Sequence, residues 1–191
     1  GNALAQPYNH SILPLATRVD KITQVRWGIA DFKYRFGHHP AGMWLPETAV
    51  DTETLEVLAE CEMAFTMLAP WQAGEDPIDV MQPYRVMLKD DQESISVFFY
   101  HSGLSSGISF TPDLTVDADT FVEDALLPEF ANGNGKVTDA ELLLIASDGE
   151  LYGHHQPFRE MFLQRLVSGA LEGQPIEPSY LALWLKAHPP R

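Results

Sequence analysis

A chain of 191 residues, 45% hydrophobic and 20% charged, is long enough for one domain with a substantial core and has ordinary soluble composition. Its formal net charge of -15 argues against nucleic acid and anionic membranes, which require basic patches; the acidity serves solubility. The single cysteine, Cys61, excludes an intrachain disulfide, and neither a secretory leader nor a bilayer-length apolar run is visible, so a cytoplasmic location is expected.

The chain begins Gly1-Asn2 without Met, as an excised piece of a longer protein would. Ala3-Leu4-Ala5 reads as the end of a first strand, followed by a polar, aromatic loop to His10. Ile22, Val25, Ile29, Phe32 and Phe36 recur at helical spacing, and Gly37 is placed to cap that helix. Met43-Trp44-Leu45 reads as a short buried strand stopped by Pro46, so that Glu47 stands at its C-terminal end. Asp51 or Thr52 caps a helix running to Glu60, with Leu55 and Leu58 inward. Ala64 to Ala69 is a further apolar strand stopped by Pro70-Trp71. Residues 72–92 read as a surface excursion.

Ile95 to Tyr100 is a strand, and His101 to Gly107 is expected as its following loop. Asp117 to Leu127 reads as helix. Leu142 to Ser147 reads as a second buried strand, ending in Asp148-Gly149-Glu150. Pro157 opens a helix to about Leu171 with Phe158, Phe162 and Leu166 inward. Residues 173–178 are a linker, and Tyr180 to Lys186 a short terminal helix. Alternating strands and helices predict an α/β fold, with a parallel sheet covered by helices.

Three motifs compete for a chemical role. Gly103-x-Ser105-x-Gly107 matches a nucleophile elbow, but that motif needs a helix directly after the turn, and the following Ile108 to Pro112 does not read as one. Asn132-Gly133-Asn134-Gly135 with Glu141 matches part of a calcium loop whose first ligand position would fall on Phe130, which has no oxygen donor. His38-His39 and His154-His155 are adjacent pairs. Neighbours on an extended chain point apart, so neither pair is expected to hold a metal, and no cofactor is expected.

The stronger signal is a pair of carboxylates, Glu47 and Asp148, each delivered by an apolar strand. Residues at the C-terminal ends of parallel barrel strands face the active site. Glycoside cleavage uses two such groups, one as nucleophile or base and one as proton donor. Trp44, Trp71 and Tyr100 supply flat faces for sugar rings, and His10, His101 and either His154 or His155 supply hydrogen-bonding groups. The bland alternative makes Glu47 a helix cap and Asp148 a turn acid.

The run His10-Ser11-Ile12-Leu13-Pro14-Leu15, then Trp27-Gly28-Ile29-x-Asp31-Phe32, then Phe36-Gly37-x-x-Pro40-x-Gly42-x-Trp44-Leu45-Pro46-Glu47 resembles glycoside hydrolase family 57. The loop Gly103 to Phe110 and the strand end Asp148-Gly149-Glu150 continue the match in order, over roughly residues 1–165. The resemblance implies an irregular parallel (β/α)7-type barrel and action on α-glucans, by hydrolysis or transglycosylation, with retention. It implies Glu47 as nucleophile and Asp148 as acid/base, with His10 and Trp44 lining a sugar subsite. Trp71, Tyr100, His101, Glu150 and His154 are the further candidate substrate contacts. The family's early His-Gln-Pro motif on the first barrel strand is missing, and so is its late helical motif. Residues 1–172 are therefore expected to form a partial catalytic barrel lacking its N-terminal strand, with 173–191 as linker and terminal helix. The exposed sheet edge would favour self-association. The partner expected is an oligo- or polysaccharide. Rival readings are a non-catalytic carbohydrate-binding or scaffold domain, and a metal-dependent polysaccharide deacetylase-like domain, which needs an Asp and two His converging on one metal.

Overall fold

The structure is a computed structural model that describes residues 2–74, 77–89, 91–131 and 141–190. The chain divides into two compact units: residues 1–99 with 180–191, and residues 100–179. The calcium-like turn Asn132 to Gly135 lies outside the described residues.

The first unit is built on a four-stranded sheet, in the order β1 (Gly42–Met43), β2 (Phe65–Leu68), β4 (Glu93–Phe99), β3 (Tyr84–Leu88). β1, β2 and β4 run parallel, and β3 pairs antiparallel with β4. The fold is thus mixed α/β with a mainly parallel sheet. β3 falls within the stretch expected to be a surface excursion. Its side chains alternate, with Arg85 and Met87 exposed and Leu88 buried, which is the period of a half-covered edge strand. Ala5 extends the other edge through a parallel bridge to Met43: its N–H donates to Gly42 O (3.1 Å), and Trp44 N–H donates to Ala5 O (2.8 Å).

Helix α1 (Arg18–Phe36) starts at Thr17, whose hydroxyl accepts from Asp20 N–H, and ends at Gly37 in the left-handed region (φ 74°). Val25, Ile29 and Phe32 face the core as the spacing predicts, whereas Phe36 is exposed at the last turn. Helix α2 (Thr52–Glu60) is capped by Asp51, and its Leu55, Val57 and Leu58 are buried. α2 packs on α1 and on β4, burying Leu13, Val25, Met43, Leu45, Leu58, Ile95 and Val97 together. Each such side chain contributes roughly 1.5–3 kcal/mol relative to exposure. Phe65 meets Phe98 edge to face at 5.5 Å.

Lys21 of α1 is buried inside this assembly. Its Nζ bonds both carboxylate oxygens of Asp51 (3.0 and 2.8 Å) and lies 2.9 Å from Glu53. Burial alone would lower the Lys21 pKa, but the hydrogen bonds it donates to Asp51 and Glu53 outweigh it and hold the ammonium above its ordinary value. Burial likewise pushes the Asp51 carboxyl up, and its bonds from Lys21 and Thr54 carry it below the usual range. The cluster ties α1 to the first turn of α2. Helix α7 (Leu181–Ala187) closes the unit's sequence, where Arg85 donates to Pro190 O (3.2 Å).

Among the described residues, the regular structure of the second unit is helical: α3 (Ser102–Phe110), α4 (Ala118–Phe121), a π turn over Val122–Leu126, α5 (Leu127–Ala131), α6 (Arg159–Arg165) and a second π turn over Leu166–Ala170. Three expectations are corrected here. The segment His101 to Gly107 is not a loop; it opens α3, because the His101 ring accepts Leu104 N–H (3.1 Å) as an N-cap and Leu104, Ser105 and Ile108 are buried on one face. Leu142 to Ser147 is not a strand. It carries no regular structure, is only half-buried to Ala146, and is held by scattered bonds: His101 N–H to Leu144 O (2.7 Å) and Ala146 N–H to Ser105 Oγ (3.1 Å). Phe158, expected inward, takes a left-handed backbone before α6 and is exposed, while Phe162 is buried against Phe121 at 5.4 Å.

Candidate active site

Glu47 belongs to the first unit and Asp148 to the second. The segment before Glu47 is fixed by close packing. Gly42 lets β1 lie against the Phe65 ring, since a Cβ there would come within 2.3 Å of it. Thr66 Oγ1 donates to Met43 O (2.8 Å) in the buried interior. Beyond β1 the chain passes Trp44, half-buried, and Leu45, fully buried, and enters a 3-10 turn at Pro46–Thr48.

Inside that turn Glu47 and Thr48 are both left-handed, at φ 56° and 52°. For residues with a Cβ this conformation costs of order 1–3 kcal/mol each, and it persists only where the surroundings impose it. Gln72 supplies part of that constraint. Its Nε2 donates to Thr48 O (2.7 Å), and its Oε1 accepts Ala69 N–H (2.8 Å). Gln72 follows β2 in the turn Pro70–Gln72, so the end of one strand pins the turn after its neighbour. The Glu47 carboxylate points to solvent, three-quarters exposed.

His10 approaches Glu47 from another segment, its Nε2 3.5 Å from Oε1, a long contact. His10 is also left-handed (φ 54°). The loop carrying it is laid on α1: Tyr8 N–H donates to Gln24 O (3.2 Å), Asn9 N–H to Gln24 Oε1 (2.9 Å), and Tyr8 meets Trp27 edge on at 5.9 Å. This approach requires Gly28, where a Cβ would sit 1.9 Å from Gln6 O. Trp71 is mostly exposed at the end of β2.

In the second unit, Asp148 is exposed, with extended backbone, and its carbonyl accepts Leu151 N–H (3.2 Å). Ser147 Oγ and Tyr152 Oη are 2.9 Å apart beside it. Tyr100 is half-buried, and burial raises its phenol pKa. Both ring nitrogens of His101 are engaged: Nδ1 accepts Leu104 N–H, and Nε2 lies 3.2 Å from Glu129. Ser105 is buried within α3, its hydroxyl oxygen accepts Ala146 N–H, and it is not displayed on a strand-to-helix turn, so it serves the fold.

The two histidine pairs differ. In His38-His39 each Nδ1 contacts a nearby carbonyl, His39 O (3.0 Å) and Pro40 O (2.9 Å), in the turn after α1. His154-His155 does not lie on an extended chain. The backbone turns there, the rings stand 4.6 Å apart, and one donor atom each from Glu150, His154 and His155 lies within 4.8 Å of the others. Sequence reasoning missed Gln72, which stands beside the strand-stopping Pro70-Trp71. It offers His155 as the alternative to His154 for a substrate contact, but the extended-chain argument hides that both rings lie on one side.

Among known proteins, the family model for glycosyl hydrolase family 57 matches residues 2–186. No curated protein matches the sequence. Similar solved structures include a branching enzyme of that family from Thermococcus kodakaraensis (TM-score 0.76, 19% identity, covering 98% of this chain and 47% of that one). A branching enzyme from Pyrococcus horikoshii is as similar (0.76, 17%, 96% and 44%). A 4-alpha-glucanotransferase from Thermococcus litoralis follows (0.68, 19%, 98% and 27%). The chain thus spans less than half the length of each of these.

Proposed function

The chain belongs to glycosyl hydrolase family 57, and on that premise we propose that it contributes the acid-bearing part of a retaining glycosidase or glucanotransferase acting on α-glucans. Glu47 is the nucleophile and Asp148 the acid/base. Residues 1–172 contribute to a (β/α)7-type barrel, residues 173–191 are a linker and terminal helix, and the protein works in the cytoplasm. Three neighbours named as branching enzymes and a glucanotransferase support the α-glucan reading.

The observation that supports it most is the turn at Glu47. An exposed carboxylate follows a parallel strand in a conformation that costs free energy, and a neighbouring strand end supplies the restraint. In double displacement, Glu47 attacks the anomeric carbon and the glycosidic C–O bond breaks as Asp148 protonates the leaving oxygen. Asp148 then takes a proton from water or an acceptor hydroxyl, whose oxygen displaces Glu47 from the sugar. His10, beside Glu47, is suited to bond a hydroxyl of the reacting sugar. Trp44, Trp71 and Tyr100 offer ring faces, and His101, Glu150 and His154 offer polar contacts.

The test compares maltooligosaccharides with an activated aryl α-glucoside. Glu47→Gln should abolish turnover of both, since an amide cannot form the glycosyl-enzyme. Asp148→Asn should slow the maltooligosaccharides far more, because an aryloxide leaves without a proton. Azide should partly restore Asp148→Ala. Full activity in Glu47→Gln would remove Glu47 as the nucleophile, and sugar binding with no turnover by the unsubstituted chain would favour the non-catalytic carbohydrate-binding reading.

A further inference from the structure

The turn after Asp148 overturns the geometric reason for setting aside its two histidines. Gly153 adopts φ 106°, and its N–H donates to Gln156 O (3.1 Å). His155 N–H reaches back to Glu150 O (2.9 Å). This reversal brings the rings of His154 and His155 to 4.6 Å with their planes at 40°, and sets His155 Nε2 3.0 Å from Glu150 Oε2. The base of the turn is anchored below the surface. Gln156 Oε1 accepts the hydroxyl of Thr115 (3.1 Å), Thr115 is buried, and Arg159 Nε–H donates to the same hydroxyl (3.0 Å). The three donor side chains themselves are exposed.

We propose that Glu150, His154 and His155 form a binding site for a first-row transition-metal dication of the zinc type. Two imidazoles and one carboxylate are a donor set such ions favour. Bonds of about 2.0–2.1 Å to a tetrahedral ion put neighbouring donors roughly 3.4 Å apart. The Glu150–His155 pair already stands near that separation, and the His154 ring needs to close by about 1–1.5 Å to join them. The fourth position is open to water or a sugar oxygen. Magnesium and calcium prefer oxygen donors and more of them, so the site discriminates against both. The chain's net charge of -15 attracts any dication. This inference goes beyond the glycosidase reading and does not rest on it, because metal binding is read out without any turnover.

The experiment is calorimetric titration of the untagged, chelator-treated chain with Zn²⁺, with Mg²⁺ as the control ion. Variants are Glu150→Gln, His154→Ala, His155→Ala and, at the other adjacent pair, the double variant His38→Ala/His39→Ala. One equivalent of Zn²⁺ should bind, and each single substitution should weaken it at least about tenfold, since even loss of an outer-shell partner costs 10–100-fold. The double variant should bind as the unsubstituted chain does, and Mg²⁺ should give no saturable heat. Co²⁺ should show a visible absorption band that His155→Ala abolishes. Absence of saturable Zn²⁺ binding, affinity unchanged in His155→Ala, or equal loss in the His38/His39 double variant would overturn the proposal. Circular dichroism of each variant separates loss of a ligand from loss of the fold.

Discussion

Glu47 follows a two-residue parallel strand and stands in a turn with two consecutive left-handed residues. Asp148 follows six largely apolar residues that form no strand, and its own backbone is extended. The first is held by a sheet, a buried ion cluster at the next helix, and Gln72. The second is held by a backbone bond, His101 N–H to Leu144 O, and by Ser105 Oγ of α3, which accepts Ala146 N–H. An acid placed by regular structure needs a local conformational cost to aim it, whereas an acid on an irregular segment needs individual hydrogen bonds to keep the segment in place.

The largest expected break in this contrast is Lys21→Ala, on the Glu47 side. It leaves the Asp51 cap without its buried cation, and stability measured by urea denaturation should fall by about 3 kcal/mol, the low end for breaking a buried pair, because Asp51 keeps some solvent contact. A loss under about 1 kcal/mol would show that the cluster does not anchor α2. The same cluster has a pH signature. The folded Asp51 pKa lies below its unfolded value, so its contribution is full above about pH 4 and disappears as pH falls through the folded value. Lys21, raised above its ordinary value, contributes fully below about pH 10 and loses this only in stronger alkali. Between these limits the cluster's contribution is flat. Acid destabilisation should therefore be shallower in Lys21→Ala than in the unsubstituted chain.

On the Asp148 side, Ser105→Ala should cost about 2 kcal/mol, because it strands the Ala146 N–H beside a buried helix face. Faster hydrogen exchange at Ala146 would locate the effect, and an unchanged rate there would count against the bond as an anchor. The smallest break is Gln72→Ala, expected at about 1 kcal/mol, with exchange rising at Ala69. If Gln72 positions Glu47, that variant should lower kcat more than it changes KM. A pure rise in KM would assign it to sugar binding instead.

The regular parts of the first unit were legible from residue spacing: α1 from its apolar recurrence and Gly37, α2 from the Asp51 cap, β2 from its apolar run and Pro70. β3 was hidden because its alternation lies between Pro83 and a charged turn, within a polar stretch. α3 was hidden because Ser and Gly make up six of its nine residues, and burial of Leu104 and Ile108 with the His101 cap overrides that weak propensity. Leu142 to Ser147 has strand composition, yet among the described residues it makes isolated bonds and not a ladder, which composition cannot foresee. At the candidate site, Glu47 and Asp148 are proposed from their chemistry and from their place after apolar runs. The left-handed turn at Glu47 was not legible, since no glycine marks it, and neither was the chain reversal that gathers Glu150, His154 and His155.

The turn at Glu47 also sets two kinds of selection against each other. Glycine takes the left-handed conformation without the penalty a Cβ brings. A library of variants enriched only for survival of heat or denaturant should drift toward glycine at position 47, and one enriched for sugar turnover should hold glutamate there. Position 47 is therefore a meter of what a lineage has been selected for, readable by sequencing the survivors before any assay is run.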